Sequence, residues 1–407
     1  MDFVTASREL ESQIIADRRF LHQHAELGFD LPETRNYVLT RLRELGYDPK
    51  EMGQGITAQL GEGSPCILLR ADMDALPMAE ENELPFRSEN PGIAHTCGHD
   101  MHAAMLLGAA AILAGSKEKL PGTVKFMFQA NEEGGQGAKA MVDAGVLEDP
   151  KVDAAIGMHT AAARDSGSFY YAVGSTMASS DGFSIEVTGR GGHGAGPQFA
   201  IDPINIACHI HLGLQELIAR EAPPAEVTVL TIGSLHSGTA GNIIPQTATM
   251  QGTLRTHCEQ TREKLKRRME ELCAHTAQAF GGEAKLTFQF GIPVLYNDAD
   301  MADKLAETLK AHFGEDCVHK IDMKLAGSED FAELSLRVPS VYLSIWTGHE
   351  KDGFLYGQHH PKVIFDEGCM KNGAAAYALC AWEWLKSAES EGKVKDMTSG
   401  QFAGVFR

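Results

Sequence analysis

Short apolar runs and amphipathic segments alternate through roughly the first 180 residues. The runs CILLRADMD, TVKFMFQA and VDAAIGMH predict buried strands. Helical periodicity predicts helices at 7–24 and 33–45, the second closed by Gly46, and over HDMHAAMLLGAAAILAG and GAKAMVDAG. Such alternation is typical of an α/β sheet with helices on both faces, where ligands bind beyond the carboxyl ends of the strands.

The pattern changes after about residue 180. FSIEVTG, EVTVLTIGSL, TATMQGTLRT and AKLTFQF predict four strands, while 203–220 and TREKLKRRMEELCAHTAQ predict two helices. The order β-α-β-β-α-β is that of a split sheet with two helices on one face. Helices and strands alternate again from about Asn297, and GSEDFAEL predicts a helix that begins at Ser328 as its N-cap.

These patterns predict an α/β protein with two domains. Residues 1–181 and 296–407 form a catalytic domain with a mixed sheet flanked by helices. Residues 182–295 form an inserted α+β lid domain with a four-stranded sheet and two helices. The final residues, KDMTSGQFAGVFR, are weakly patterned, and we expect them to be frayed.

Composition narrows the classes of partner. The 407 residues include 36 basic and 55 acidic side chains, and this net charge of −19 argues against nucleic acid or an anionic membrane. The chain has no run of 18 apolar residues, and its N-terminus lacks a signal pattern, so we expect a cytoplasmic protein. Eight scattered cysteines form no disulfide framework and suit reduced thiols.

Metal-ligand residue types stand at the ends of the predicted strands. Cys97 and His99 in HTCGHDMH flank Gly98, which lets the turn close so that both side chains reach one metal ion. A buried cysteine beside a helix-capping histidine explains this pair equally well. Asp100 and His102, just inside the helix, are better explained as groups that orient a ligand or cap the helix.

Carboxylates follow two of the predicted strands. Glu132 and Glu133 are adjacent, so their side chains point to opposite faces, and one can bind metal while the other activates water. A solvated pair at a strand end is the ordinary alternative. Asp72 and Asp74 in RADMDALP face the same side and can support a ligand or the base, although an ion pair with Arg70 also explains one of them.

Several histidines are candidates for the same site. His159 ends AAIGMH, where a core histidine is the common alternative, and either His359 or His360 in QHHP can be a ligand. GRGGHGAG contains a G-x-G-x-x-G pattern, but the acidic residue that a dinucleotide site requires is missing. A turn that presents His193 is therefore the better interpretation.

Two further polar residues are candidates for substrate binding. Asn242 lies in the loop HSGTAGNIIPQ and can donate a hydrogen bond to a carbonyl or carboxylate. Arg255 ends a predicted strand and can bind a carboxylate with two hydrogen bonds. A plain β-turn and an exposed arginine are the alternatives.

Together these motifs resemble the aminoacylase-like metallo-amidohydrolases, which are related to the zinc carboxypeptidases and dipeptidases and carry an inserted dimerisation domain. The most similar branch contains hippurate hydrolases, N-acetyl-diaminopimelate deacetylases and plant auxin-conjugate hydrolases. The resemblance runs in order from about Arg18 to Leu385 over RRFLHQHAELGF, RADMDALP, HTCGHDMHAA, QANEEGGQGAKAM, GMH, TGRGGHGAGPQFAIDPI, SGTAGNIIPQTATMQGTLRT, GSEDFA and HHP.

The resemblance implies a site for two divalent metal ions, manganese or zinc, with cobalt or nickel also allowed. It implies that Cys97 bridges the ions. The full set of implied ligands is Cys97, His99, Glu133, His159 and His359.

The resemblance also implies roles outside the ligand set. Glu132 would be the general base and acid, with Asp74 as its supporting carboxylate. His193 would stabilise the tetrahedral oxyanion, while Asn242 and Arg255 would hold the substrate carboxylate. Asp72 stands where relatives outside this branch carry a metal-binding histidine.

The predicted function is hydrolysis of the amide bond of N-acyl amino acids by a homodimer that associates through the lid. A metallo-dipeptidase or carboxypeptidase of the same fold is the first alternative. A non-catalytic binding protein with a structural metal site is a remote one, because a structural site does not need the spare carboxylate of Glu132. A nucleotide-dependent oxidoreductase would rest on the glycine-rich turn alone.

Overall fold

The computed structural model describes residues 2–116, 120–162, 165–322, 324–348 and 350–391. The C-terminal segment that the sequence predicts to be frayed lies outside these residues. The helices are α1 (Phe3–Glu9), α2 (Glu11–Gln23), α3 (Pro32–Glu44), α4 (His99–Ala114), α5 (Gly137–Asp143), α6 (Pro203–Arg220), α7 (Glu259–Ala279), α8 (Ala299–Phe313), α9 (Ala332–Ser335) and α10 (Met370–Glu391). Within the described residues, no helix combines the length and apolarity needed to cross a bilayer.

Sixteen strands accompany these helices in the described residues. They are β1 (Lys50–Met52), β2 (Gly55–Gly61), β3 (Cys66–Asp72), β4 (Thr123–Gln129), β5 (Ala154–Ala162), β6 (Phe169–Tyr171), β7 (Gly174–Met177), β8 (Ser180–Thr188), β9 (Gly192–His193), β10 (Thr228–Ser237), β11 (Ile243–Ile244), β12 (Thr247–Thr256), β13 (Glu283–Ile292), β14 (Leu295–Asn297), β15 (Val318–Lys320) and β16 (Ser340–Thr347).

The chain divides into two compact units. The first comprises the described parts of Met1–Ala172, Asn297–Ile321 and Arg337–Arg407, and the second comprises those of Val173–Tyr296 and Asp322–Leu336. The second unit is wider than the insertion predicted at 182–295. Its later segment joins it through main-chain hydrogen bonds, because Ala178 N–H donates to Leu325 O (3.0 Å) and Leu325 N–H donates to Thr176 O (2.9 Å).

An eight-stranded mixed sheet forms the centre of the first unit, in the order β1-β2-β4-β3-β5-β16-β6-β15. The strands β4, β3, β5 and β16 are parallel to one another. Every residue of β3 and β4 is buried, as expected for central strands covered on both faces. The helices α4 and α10 pack against each other and against β3. This architecture confirms the predicted α/β class.

Two helix predictions differ from the structure. The helix expected at 7–24 is two helices, α1 and α2, which meet at Leu10. The helix expected to begin at Ser328 begins instead at Ala332 and has four residues. The Glu329 side chain accepts a hydrogen bond from Phe331 N–H (2.8 Å), which holds these residues in a turn before the helix.

The second unit contains a four-stranded antiparallel sheet in the order β10-β12-β8-β13. Two helices, α6 and α7, share one apolar core with this sheet. The apolar spacing on each helix is that of an amphipathic helix with one buried stripe. The buried side chains of this stripe include Ile206, Ile210 and Leu214 on α6 and Leu265, Met269 and Cys273 on α7.

A buried ion pair in the second unit provides a test of its packing. Arg262 donates two hydrogen bonds to Asp181 (2.7 and 2.8 Å), and both residues are buried. Replacing Asp181 with alanine leaves the guanidinium with Glu259 alone, so we expect the free energy of unfolding to fall by about 3 kcal/mol. Urea denaturation followed by circular dichroism measures this change.

The matched control is Asp143→Asn, which breaks an exposed ion pair with Lys139. An exposed pair contributes about 0–1 kcal/mol, so the unfolding midpoint should hardly move. Equal midpoints for the two variants would show that the Asp181–Arg262 pair does not stabilise the second unit.

Candidate metal centre

The carboxyl ends of three strands lie side by side in the first unit. The strands β3 and β4 run parallel with Asp72 opposite Gln129, and β5 runs parallel to β3 on its other side. Residues on or just after these strands therefore reach one edge of the sheet, and among them are Asp74, Glu132 and His159. Open α/β sheets bind ligands at this kind of edge.

The turn before α4 brings two further side chains to this edge. Gly98 has a φ of 92°, a left-handed conformation that favours glycine, and it separates Cys97 from His99 at the helix start. A Cβ atom at Gly98 would lie 2.4 Å from Thr160 Oγ1. Glycine is therefore required here both by the backbone conformation and by the close approach of β5.

Cys97 belongs to two groups of candidate ligands. One donor atom from each of Cys97, His99 and His159 lies within 4.8 Å of the others, and the same holds for Cys97, Glu133 and His359. The Sγ atom of Cys97 is 3.4 Å from His159 Nε2 and 3.3 Å from His359 Nε2. The Oε1 atom of Glu133 is 3.2 Å from His359 Nε2. One thiol, three imidazoles and one carboxylate thus form a cluster able to hold two metal ions.

The structure distinguishes the two neighbouring histidines of QHHP. His359 adopts a left-handed φ of 62°, its N–H donates to Thr96 O (2.9 Å), and its ring reaches the cluster. His360 stacks on Tyr356 and accepts a hydrogen bond from Lys362 N–H (3.1 Å). Of these two histidines, only His359 lies among the candidate ligands.

The environment of His99 fits a bound cation. The ring is fully buried, and among the described residues no partner lies within ordinary hydrogen-bond distance of either nitrogen. Its Nε2 atom lies 4.0 Å from carboxylate oxygens of both Glu132 and Glu133. A buried ring nitrogen without a partner is costly, and a cation between Nε2 and these carboxylates would satisfy that nitrogen, while Nδ1 faces Asp74 Oδ1 at 3.6 Å. The residues present therefore fit a divalent metal.

The pKa values of these groups follow from burial and from the surrounding charges. Burial acts to lower the pKa of His99, but the carboxylate of Asp72 outweighs this and holds the pKa well above its usual value. Burial lowers the pKa of His159 to about 3, so its ring is neutral at pH 7. Burial raises the pKa of Cys97 to about 12 in the protein without metal. The centre thus offers a neutral imidazole and a thiol that a cation would deprotonate.

Asp74 fixes the main chain that carries the two glutamates. Its Oδ1 atom accepts a hydrogen bond from Glu132 N–H (2.9 Å), and its Oδ2 atom accepts one from Glu133 N–H (3.1 Å). The Asp74 Oδ1 atom also lies 3.6 Å from His99 Nδ1. Asp74 therefore holds both glutamates and faces one side of the His99 ring.

Asp72 makes its hydrogen bonds with residues outside the cluster of one thiol, three imidazoles and one carboxylate. Its Oδ2 atom accepts a hydrogen bond from Arg70 (2.7 Å), and its Oδ1 atom contacts His102 Nδ1 (2.5 Å). All three side chains are fully buried. Burial acts to raise the pKa of Asp72, but His99 and Arg70 hold it well below its usual value. The ion pair with Arg70, the alternative left open by the sequence, is present.

The remaining sequence-predicted residues lie in the second unit. The strands β9 and β11 pair His193 with Ile243, and Gly194 N–H donates to Asn242 O (2.9 Å). His193 and Asn242 are thus neighbours, and the His193 side chain is exposed. Arg255 lies on β12 and donates to Ala326 O (3.3 Å).

Sequence reasoning did not single out two residues next to the cluster. Thr160 follows His159 directly, and its carbonyl accepts a hydrogen bond from Gln358 Nε2 (2.6 Å). Both residues adjoin a candidate ligand in sequence, which was the available signal. Their contact joins the strand that carries His159 to the loop that carries His359.

Comparison with known proteins identifies a family for this chain. The family described as Peptidase family M20/M25/M40 matches residues 68–383. Thermostable carboxypeptidase 1 of Saccharolobus solfataricus is 38% identical over 383 residues, covering 92% of this chain and 96% of that protein. Hippurate hydrolase of Campylobacter jejuni is 35% identical over 390 residues, covering 95% of this chain and 100% of that protein.

A solved structure shows the same architecture. A dinuclear metal-binding peptidase of the M20 family from Bacillus subtilis superposes with a TM-score of 0.78 at 31% identity. The match covers 93% of this chain and 99% of that chain. The similarity to these proteins therefore extends over nearly the whole length.

Proposed function

The chain belongs to the peptidase family M20/M25/M40 and is a metal-dependent amidohydrolase, and from this basis we propose that it hydrolyses N-acyl amino acids. The products are a carboxylic acid and a free amino acid. The observation that carries the proposal is a second carboxylate, Glu132, beside a cluster that can already hold two cations. In a structural metal site, protein ligands fill every coordination position, so no further carboxylate is needed to activate water.

The proposed ligands are the five residues of the cluster. Cys97 is shared by both of its groups, so its thiolate would be within reach of either ion. A thiolate with imidazoles favours zinc by softness, while availability in the cell can select manganese, cobalt or nickel. When bound, such ions polarise a carbonyl and lower the pKa of water. The ligands are Cys97, His99, Glu133, His159 and His359.

Glu132 is the proposed general base and acid. It takes a proton from the attacking water and delivers it to the amine nitrogen as the amide bond breaks. Its carboxylate is buried, and its position is set by the hydrogen bond from its own N–H to Asp74. Asp74 thus supports the base by holding its main chain.

The second unit supplies the proposed substrate-binding residues. His193 stabilises the oxyanion that forms on the carbonyl oxygen, and Asn242 and Arg255 hold the carboxylate of the amino acid. His193 is exposed, and its strand β9 pairs with β11, which directly follows Asn242. These two observations support binding of one substrate by both residues. In this proposal, residues 182–295 act as a lid that excludes water from the site.

Assembly and location are further parts of the proposal. We expect a homodimer that associates through the lid domain, as the family resemblance implies. All eight cysteines are free thiols in the structure, which supports a reducing compartment such as the cytoplasm. Analytical ultracentrifugation of the purified protein measures the oligomeric state directly.

A carboxypeptidase acting on peptides is the second candidate function. It is favoured by the similarity to thermostable carboxypeptidase 1, which is named for that activity. With a dipeptide as the substrate, the two functions differ in whether a free amino group is tolerated beside the scissile bond. An ammonium group would be placed near the proposed cations and repelled by them, whereas an acyl group is neutral.

Hydrolysis of matched substrates tests the proposed function. Metal-stripped protein is assayed with added manganese or zinc on benzoylglycine, N-acetyl amino acids and dipeptides that share the same C-terminal residue. We expect release of the free amino acid from the acylated substrates, with a kcat/KM above that for the dipeptides. Cleavage of dipeptides alone would instead establish the peptidase, and no cleavage by the metal-loaded protein would contradict both functions.

A further inference from the structure

We infer that His102 is a positioning residue that fixes the ring of His159 through the main chain of Thr160. The inference rests on the proposed role of His159 as a metal ligand. His102 and Thr160 are buried beside the cluster and are not among the proposed ligands. Hydrogen-bond geometry determines which ring nitrogens of the two histidines carry protons.

His102 is held in one tautomer. Thr160 N–H donates to its Nε2 atom (2.8 Å), so this nitrogen must be unprotonated. The proton of the neutral ring is therefore on Nδ1, which donates to Asp72 Oδ1 (2.5 Å). The other oxygen of Asp72 is held by Arg70 (2.7 Å). His102 thus links a fixed ion pair to the main chain of β5.

His159 is held in the tautomer that suits a ligand. Its Nδ1 atom lies 2.5 Å from Thr160 O, and because a carbonyl only accepts, Nδ1 carries the proton. The lone pair of Nε2 is then free and faces Cys97 Sγ at 3.4 Å. A histidine ligand needs its second nitrogen anchored in this way to keep its orientation.

Thr160 is the residue at which these contacts meet. Its N–H is held by His102, while its carbonyl accepts from His159 and from Gln358. Its hydroxyl oxygen lies 3.1 Å from His102 Nε2 and 3.4 Å from Cys97 O, and it packs where a side chain at Gly98 would otherwise lie. A shift of this peptide group would move the anchor of His159 and the turn that carries Cys97 together.

Two conservative variants separate this role from simple burial. In His102→Asn, the amide nitrogen can replace Nδ1 and keep the hydrogen bond to Asp72, but nothing reaches Thr160. In His102→Gln, the amide oxygen can replace Nε2 and accept from Thr160 N–H, while the bond to Asp72 is lost. A purely structural role would be damaged comparably by either change.

The test measures Co²⁺ binding to the stripped protein. For His102→Asn we expect a dissociation constant about 10–100-fold higher than that of the wild type, and an altered thiolate-to-cobalt charge-transfer band from Cys97. For His102→Gln we expect affinity and spectrum close to the wild type. His312→Asn, at an exposed position on α8, controls for loss of a histidine. Thermal unfolding of each stripped variant checks the fold.

Two results would overturn the inference. One is wild-type Co²⁺ binding by His102→Asn, and the other is a loss in His102→Gln as large as that in His102→Asn. If His102→Asn does not fold, His102→Gln decides alone, since retained affinity supports the role and lost affinity overturns it.

The same experiment separates this inference from the proposed function. Failure of the wild type to bind Co²⁺ would overturn the metal centre and with it the role of His102. Normal Co²⁺ binding without hydrolysis of any N-acyl amino acid would overturn the substrate proposal alone, because the readout of His102 uses no substrate.

Discussion

Replacing Glu132 with glutamine is expected to lower kcat by about 10²–10⁴-fold, the contribution typical of general acid–base catalysis. Glutamine has nearly the same shape but cannot take the proton from water or return it to the amine. The hydrogen bond from the main chain of residue 132 to Asp74 is unaffected by the change. Steady-state kinetics on the best N-acyl substrate measures kcat, and elemental analysis measures the bound metal.

Two matched variants serve as comparisons for Glu132→Gln. Glu133→Gln should weaken metal binding, because Glu133 is among the proposed ligands, whereas Glu132→Gln should keep its metal. Glu62→Gln, at an exposed position between β2 and β3, should behave like the wild type. Activity above about 1% of wild type in a fully metal-loaded Glu132→Gln protein would remove Glu132 as the base.

Stripping the metal ions is expected to reduce activity by about 10³-fold or more, because polarisation by a bound cation is worth several kcal/mol. We expect the stripped protein to remain folded. His359 contacts Glu133 (3.2 Å) and His159 contacts Thr160 (2.5 Å), so groups of the protein can partner these rings when the ions are removed. Activity after dialysis against a chelator, together with circular dichroism, tests both expectations.

Adding metal ions back to the stripped protein distinguishes a catalytic metal centre from a structural one. Adding manganese or zinc back should recover activity, and a chelator already saturated with zinc should have no effect. Unfolding on removal of the metal would indicate that the ions hold the fold, as in a structural site. Full activity in protein shown to be free of metal would contradict the metal-dependent mechanism.

The strand ends were predictable because two local signals coincide there. Apolar runs locate buried strands, and chemistry-bearing residues follow them, as Glu132 follows β4. The edge where such strands end is fixed by the parallel topology, so the convergence of Asp74, Glu132 and His159 follows from the alternating pattern. The family resemblance supplied what local patterns lack, which is a proposed role for each candidate ligand.

The local sequence could not predict which of two neighbouring side chains reaches the candidate metal centre. His359 and His360 are adjacent, and only the left-handed backbone at His359 sends its ring towards Cys97. The expected helix start at Ser328 was wrong because the Glu329 side chain makes a local hydrogen bond that competes with helix formation. His102 lies on the same face of α4 as His99, but its partners Asp72 and Thr160 come from the strands β3 and β5. The local sequence around His102 therefore could not predict these contacts.

The order of strands in the first unit has a consequence for synthesis on the ribosome. The strand β16 (Ser340–Thr347) lies between β5 and β6, although both of those strands leave the ribosome much earlier. The nascent chain must therefore keep the edge of β5 unpaired while more than 160 later residues are translated. His359 follows β16, so the five proposed ligands are all present only near the end of translation. A chain released early would expose the unpaired edge of β5 beside a candidate metal centre that lacks His359. We expect chaperones to bind such a chain.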